Sequence, residues 1–234
     1  MPYPTQPGVD SIRMNSRLSI LAALAIAAAP FAHSANTPGA NTPAPDNAAL
    51  TAAMQNYLAQ HGDLCVGKFD WPIDVSADDT RLHSNNAVQM PVLEKLGLVS
   101  ASDETATRNS ENGPQRIAVR RYALTDAGRK YYLRKEMATA TSSGDKQLHH
   151  GDFCAAKLSL DKVVAWDAPQ TVGDHTETTV SYTYHIAAAD WTQAPEARRV
   201  FPMVDRIISG AGTQQLRQRL RSTPNGWVAL GLWE

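Results

Sequence analysis

The sequence has little cysteine, few aromatic residues and almost no net charge. It contains 2 cysteines, its aromatic fraction is 7% and its formal net charge is -1. Two cysteines leave room for a single disulfide, and the balanced charge gives no sign of a nucleic-acid, membrane-surface or strongly acidic partner. Hydrophobic residues still make up 43% of the chain, which is ordinary for a globular protein.

The sequence also lacks an apolar run long enough to cross a membrane. Residues 18–29 form its most apolar stretch, whereas a transmembrane helix needs roughly 20 such residues. Arg17 precedes this stretch and small residues follow it, a pattern typical of a secretory signal peptide. We therefore predict a signal peptide region over residues 1–35, with Met14 as an alternative start, and a flexible proline-rich spacer over residues 36–45. The mature protein is then periplasmic or secreted, without stable membrane insertion; an uncleaved anchor is the alternative.

Motifs of the common hydrolases are missing as well. The chain contains no G-x-S-x-G and no H-E-x-x-H sequence, and no pair of carboxylates stands out for acid–base catalysis. We therefore predict that the protein is not an enzyme and assign no catalytic residue. The expected role is binding to an envelope or host macromolecule.

What the chain does contain is one octapeptide in two versions. HGDLCVGK covers residues 61–68 and HGDFCAAK covers residues 150–157, so the two cysteines occupy equivalent positions. Disulfides form and persist in oxidising compartments, where two free thiols would be unusual. We predict that the two segments meet and that Cys65 bonds to Cys154.

The same octapeptides carry the ligand types that zinc prefers. His61, Cys65, His150 and Cys154 would form a Cys2His2 site if both thiols stayed reduced. A thiol enzyme built on the same His-Asp-Cys cluster is a related alternative, and it also needs a free cysteine. Because export favours the disulfide, we predict neither a metal nor another cofactor.

Residue patterns predict an α+β first half over residues 46–138. Asp46 is a candidate N-cap for a helix that ends at Gly62, and a strand follows over residues 65–71. A second helix is predicted over residues 85–96.

The rest of this half is predicted to contain less regular structure. Residues 103–114 are interpreted as a polar loop and residues 115–124 as a strand. Thr125 then caps a helix that continues to about Met137.

The segment VLEKLGLVSASDE…RRYALTDAGRKYY, within residues 86–134, resembles the winged-helix family. In that family a helix leads into a two-stranded wing, and Y-x-L-T-x-x-G begins the closing helix. The resemblance implies a winged-helix-like half and DNA binding through the helix and wing. The residues it would place toward phosphate are Gln89, Lys95, Arg108, Arg116, Arg120 and Arg121. We do not expect DNA binding, because it needs concentrated positive charge and acidic residues lie among these bases.

The second half, residues 148–234, is predicted to be an antiparallel sheet with one packed helix. A polar linker over residues 139–147 precedes it. Its predicted elements are strands at 155–166 (with a bulge near Asp161), 176–186, 213–222 and 227–233, and a helix from Pro195 that Pro202 kinks or splits.

Aromatic residues of this half offer a binding surface. The candidates are Trp191, Trp227 and Trp233, with burial in the core as the alternative.

The chain as a whole is also similar to small exported proteobacterial proteins of unknown function. The shared features are HGD-[LF]-C…K, Y-x-L-T-x-A-G-R-K-Y-Y and a closing GW-V-A-L. This resemblance implies export and supplies no activity.

Overall fold

The computed structural model describes residues 45–110, 113–140 and 144–231. The predicted signal peptide region, nearly all of the predicted spacer and Trp233 lie outside these residues. The described residues belong to one compact unit. None of its helices combines the length and apolar character needed to span a bilayer.

Six short to medium helices form within the described residues. They are α1 (Asn47–His61), α2 (Ala77–Arg81), α3 (Asn85–Lys95), α4 (Asp126–Arg129), α5 (Pro195–Val200) and α6 (Pro202–Ser209). The predicted caps explain the ends of two of them. Asp46 accepts a hydrogen bond from the Ala49 N–H (2.7 Å) and begins α1. Gly97, at φ +72°, follows α3 in a conformation that favours glycine.

The strands form three sheets. Their bounds are β1 (Asp63–Cys65), β2 (Ile73–Ser76), β3 (Val99–Ser110), β4 (Gly113–Leu124), β5 (Tyr132–Leu133), β6 (Met137–Ala140), β7 (Lys146–His149), β8 (Asp152–Trp166), β9 (Gln170–Val172), β10 (His175–Ala188), β11 (Leu216–Thr223) and β12 (Gly226–Ala229). The main sheet runs β1-β8-β10-β11-β12, with β5 paired to β8 and β9 to β10. A three-stranded sheet has the order β2-β4-β3, and β6 pairs with β7. Every pairing is antiparallel, so the predicted α+β class is confirmed.

The second half follows its predicted order closely. The chain passes through β8 and β10, then α5 and α6, then the hairpin of β11 and β12. The pairing of β8 with β10 shifts register at Asp161, which confirms the predicted bulge. Pro202 begins α6 directly after Phe201 leaves helical geometry, so the predicted split is also confirmed.

Four expectations for residues 65–147 were wrong, two of them for strands and loops. Residues 103–110 continue β3 instead of forming a loop, and Asp103 lies opposite Arg120 on β4. Opposite charges across a hairpin stabilise a strand made of polar residues, which composition alone does not reveal. The predicted strand over residues 65–71 stops at Cys65, since the chain turns at Gly67 (φ +70°).

The helix after Thr125 and the linker also differ from expectation. Helix α4 ends at Arg129, because the following residues pair with β8: Cys154 donates its N–H to the Tyr131 carbonyl (2.8 Å). The predicted linker contains the end of β6 and the start of β7, which pair as a hairpin. Long-range pairing with β8 therefore overrides the local helical pattern.

Packing joins the two predicted halves. Helix α1, from the first half, covers the main sheet: Leu50, Met54 and Leu58 pack in one buried cluster with Tyr184 and Trp227. Residues of α5 and α6 in turn pack with α3 in a second cluster that also contains Phe153. The apolar core thus crosses the boundary that the sequence suggests at residues 139–147.

Candidate functional site

The two octapeptides meet as antiparallel strands. Cys65 and Cys154 are bonded, with the sulfurs 2.05 Å apart, which confirms the predicted disulfide. Around it Asp63 faces Lys157, and the Val66 N–H donates to the Phe153 carbonyl (2.9 Å). Equivalent residues of the two octapeptides therefore lie on opposite sides of the disulfide, in an approximate local two-fold arrangement.

Each octapeptide contributes an aspartate that faces the lysine of the other. Asp63 lies 3.2 Å from the Lys157 ammonium group in a partly exposed position. The other pair, Asp152 and Lys68, is buried, with exposed fractions of 4% and 5%. The symmetric sequence thus produces one solvated pair and one buried pair.

The buried Asp152 organises the chain that follows the first octapeptide cysteine. Its carboxylate accepts backbone N–H bonds from Gly67 (3.1 Å), Lys68 (2.7 Å) and Phe153 (2.7 Å). Burial raises the pKa of Asp152, although these three bonds and the Lys68 charge oppose the rise. Burial likewise lowers the pKa of Lys68, and the Asp152 charge opposes that shift. The pair is a structural support for the loop, held mainly by backbone donors.

The glycines of the octapeptides are required by close packing. A Cβ atom on Gly62 would lie 2.4 Å from the Leu158 carbonyl oxygen. On Gly151 it would lie 2.6 Å from the Tyr132 ring and 2.7 Å from the Leu133 carbonyl oxygen. All three distances are shorter than van der Waals contact, so each octapeptide has glycine where a neighbouring segment approaches its backbone closely.

We expect Gly151→Ala to lower the free energy of unfolding by about 1–3 kcal/mol, because the new methyl group displaces a backbone carbonyl. Urea denaturation followed by tryptophan fluorescence measures the change. Gly97→Asn is the matched control, since Gly97 has open space around its Cβ position and asparagine tolerates positive φ. Equal stability of the Gly151 variant and the parent would contradict this account.

The disulfide removes the free thiolates that the alternative zinc site and the alternative thiol enzyme would both need. Both sulfurs are in the disulfide and cannot act as thiolates. His61 stacks on Tyr57 at the end of α1, and His150 is exposed, 3.8 Å from Glu136. Across the described part of the chain, no group of three or more metal-ligating side chains is placed to hold an ion.

A groove lies beside the disulfide. Its volume is about 580 Å³, and its lining includes Cys154 and five alanines of and next to β8 and β10, namely Ala155, Ala156, Ala187, Ala188 and Ala189. The strand β5 and the residues before it also line it, with Tyr131, Tyr132 and Leu133. Small side chains therefore make up much of the groove lining.

Charged side chains line the edge of this alanine groove. Lys130, Arg134 and Lys157 carry positive charge there, and Asp63 is the acidic residue among them. Asp63 pairs with Lys157. Lys130 and Arg134 are exposed, and neither has a carboxylate partner within the described residues. The edge therefore presents two positive charges that remain available to an anion.

A polar network that the sequence did not suggest surrounds His149, the residue before the second octapeptide. Its Nδ1 lies 3.1 Å from the Asp70 carboxylate and its Nε2 lies 3.0 Å from the Thr139 hydroxyl. The ring stacks on Phe69 with centroids 4.1 Å apart. Asp70 was assigned to a strand and Thr139 to a linker, so no local pattern could have joined them to His149.

The two tryptophan candidates within the described residues do not form an exposed surface. Trp191 and Trp227 are 5% and 6% exposed. Trp191 packs between the rings of Phe153 and Phe201, and Trp227 lies in the cluster beneath α1. Their burial agrees with the alternative that these rings fill the core.

The residues that the winged-helix resemblance places toward phosphate are largely engaged with protein groups. Arg121 makes a two-pronged contact with Asp74 (2.7 Å for each nitrogen), and Arg120 lies 2.8 Å from Glu94. The other contacts are Lys95 with Glu196 (2.8 Å), Arg108 with Asp79 (3.5 Å) and Gln89 with the Val200 carbonyl (3.1 Å). Arg116 lies exposed on β4. Acidic neighbours therefore neutralise much of this basic surface.

Comparison of the chain with protein-family models, with curated proteins and with solved structures found no match. The two resemblances noted in the sequence stay predictions. Function is accordingly argued from the chemistry of the alanine groove and of the His149 network.

Proposed function

We propose that this protein is exported and binds an anionic component of the cell envelope in the alanine groove. The observation that carries the proposal is a pair of exposed cations, Lys130 and Arg134, at the edge of an apolar depression of about 580 Å³. Neither has a carboxylate partner among the described residues. Ligand sites commonly combine an apolar surface with a few polar groups that fix orientation. Cations at the edge would bind a carboxylate or phosphate group of the ligand. The alanine-rich lining would contact a narrow apolar part of the same ligand.

The arrangement of the two cations favours an oxyanion. An arginine guanidinium presents paired N–H donors that match the geometry of a carboxylate or a phosphate, and a lysine adds a compact positive charge. Asp63 forms an ion pair with Lys157. The other positive charges at the groove edge are those of Lys130 and Arg134.

Export is the expected setting for this role. The Cys65–Cys154 disulfide is consistent with a periplasmic or extracellular location, where such bonds persist. The groove is adjacent to this bond, since Cys154 contributes to its lining. The ligand-binding surface would thus depend on a bond that forms in the same compartment as the ligand.

A winged-helix-like arrangement is the finer proposal for the fold. Its support is the order β2-α2-α3-β3-β4 along the chain and β2-β4-β3 across the sheet. Helix α2 supplies a helix before α3, as a winged-helix-like arrangement needs. The ion pairs of Arg120 and Arg121 argue against a DNA role for this part, so we propose it as a scaffold.

Binding is tested by NMR titration of the oxidised mature protein. N-acetylmuramyl tripeptide is the carboxylate probe, and a short-chain phosphatidylglycerol below its micelle concentration is the phosphate probe. The double variant Lys130→Gln/Arg134→Gln is expected to weaken binding about tenfold, which corresponds to roughly 1.4 kcal/mol. Added salt should weaken binding to the parent protein in the same direction.

Lys162→Gln/Arg116→Gln is the matched control, since both residues are exposed bases outside the groove and the change in net charge is the same. The control should bind within about twofold of the parent, because distant surface charges are screened. Equal weakening in both double variants would indicate a nonspecific charge effect and reject the groove. Absence of saturable shifts at β5 and Ala187–Ala189 with either probe would reject the proposed anion site.

A further inference from the structure

We propose that Asp70, His149 and Thr139 form a catalytic triad in which Thr139 is the nucleophile of an acyl-transfer reaction. A nucleophile and a base within hydrogen-bond reach, with a third group orienting the base, is the arrangement that activates hydroxyl nucleophiles. Both distances required are present: 3.0 Å from the Thr139 hydroxyl to His149 Nε2, and 3.1 Å from His149 Nδ1 to the Asp70 carboxylate.

The carboxylate determines which nitrogen of His149 acts as the base. When the ring is neutral and the carboxylate is ionised, Nδ1 donates to Asp70 and carries the ring proton, because a carboxylate only accepts hydrogen bonds. Nε2 is then left with a free electron pair directed at the Thr139 hydroxyl. The hydroxyl donates to Nε2, which is the orientation that proton abstraction needs.

The imidazole ring is held in place by its surroundings. Its side chain is 5% exposed, and Phe69 stacks on one face with an interplanar angle of 18°. The Tyr132 hydroxyl donates to the Phe69 carbonyl (2.6 Å) and anchors the chain segment that carries Asp70. Such fixed orientation lowers the entropic cost of reaching the reactive geometry.

The nucleophile lies on the opposite side of the ring and remains accessible. Thr139 belongs to β6, opposite Gln147 on β7, and it is half-buried. Asp70, by contrast, is 70% exposed, so solvent reaches the outer end of the network as well. The accessible hydroxyl on a short hairpin suits a small activated carboxylic ester better than a large substrate that needs deep enclosure.

The proposed reaction needs only the ester and water as reactants. The Thr139 oxygen attacks the ester carbonyl carbon and forms a new C–O bond, while its proton passes to His149 Nε2. Collapse of the tetrahedral intermediate breaks the bond to the alkoxide leaving group, which takes that proton. Water then attacks the acyl-threonine with His149 as base again, releasing the acid and restoring the Thr139 hydroxyl.

The experiment uses the oxidised mature protein with two probes. p-Nitrophenyl acetate reports turnover, and a fluorophosphonate followed by peptide mass mapping reports the labelled residue. We expect a single adduct on Thr139. His149→Gln should lower the labelling rate roughly 10²- to 10⁴-fold, the usual contribution of a general base. Thr139→Ser should retain labelling, and Asp70→Asn should lower it because the ring loses its orienting carboxylate.

Thr139→Val removes the hydroxyl while keeping the side-chain shape, and it should abolish the adduct. Thr213→Ala is the matched control, since the Thr213 hydroxyl bonds only to the Gly210 carbonyl and lies near no imidazole. If His149→Gln lowers the melting temperature, the decision rests on Thr139→Val and Asp70→Asn. An adduct on another residue, or unchanged labelling in Thr139→Val, would overturn the triad. Neither outcome bears on binding in the alanine groove, which is read out separately.

Discussion

Replacing Cys65 and Cys154 together with alanine is expected to lower the free energy of unfolding by about 4–5 kcal/mol, the value that the chain-entropy model gives for so long a loop. The bonded residues are 89 positions apart, so the disulfide excludes many open conformations of the unfolded chain. Such a loss is comparable with the whole net stability of many domains. Urea denaturation of the parent and the double variant measures it.

Reductant provides the internal control for this prediction. It should destabilise the parent by a similar amount and leave the double alanine variant unchanged, since that variant has no disulfide to lose. A loss below about 1 kcal/mol would indicate that the antiparallel pairing of the octapeptides holds without the covalent bond.

Asp152→Ala is expected to cost about 2–4 kcal/mol, because each buried backbone N–H group left without its acceptor costs about 1–3 kcal/mol. Three backbone N–H groups lose their acceptor, and the Lys68 ammonium loses its counter-charge. Each donor left unsatisfied in the interior adds to the cost. Urea denaturation under oxidising conditions isolates this effect, because the disulfide remains intact.

Lys68→Met tests the contribution of the lysine at the same site. Asp152 keeps its three N–H donors in this variant, and a desolvated ammonium is replaced by an apolar chain of similar length. We expect a change within about 1 kcal/mol in either direction. Equal, large losses for Lys68→Met and Asp152→Ala would mean that the ion pair, and not the backbone contacts, supports the loop.

Much of the secondary structure followed from local signals. Asp46 predicted the start of α1, and Pro202 predicted the division between α5 and α6. The strand predicted over residues 176–186 lies within β10. In each case the signal is a property of a few neighbouring residues, so the sequence alone expresses it.

The remaining features depend on partners distant in the chain. The helix after Thr125 stops early because Tyr131 meets β8, and α1 packs against strands that were assigned to the other half. The groove is visible only when β8, β10 and β5 are brought together. The His149 network likewise joins residues from three separate segments of the chain.

The position of α1 has a consequence for how the chain acquires its structure. Ribosomes and translocation channels release a polypeptide from its amino end, yet the apolar face of α1 packs against Trp227, near the far end of the described chain. Strands β8 and β10 can cover part of the apolar face of α1 earlier, but the part that packs against Trp227 stays uncovered until the last hairpin emerges. This helix is therefore the segment that a holding chaperone would be expected to shield while synthesis is incomplete.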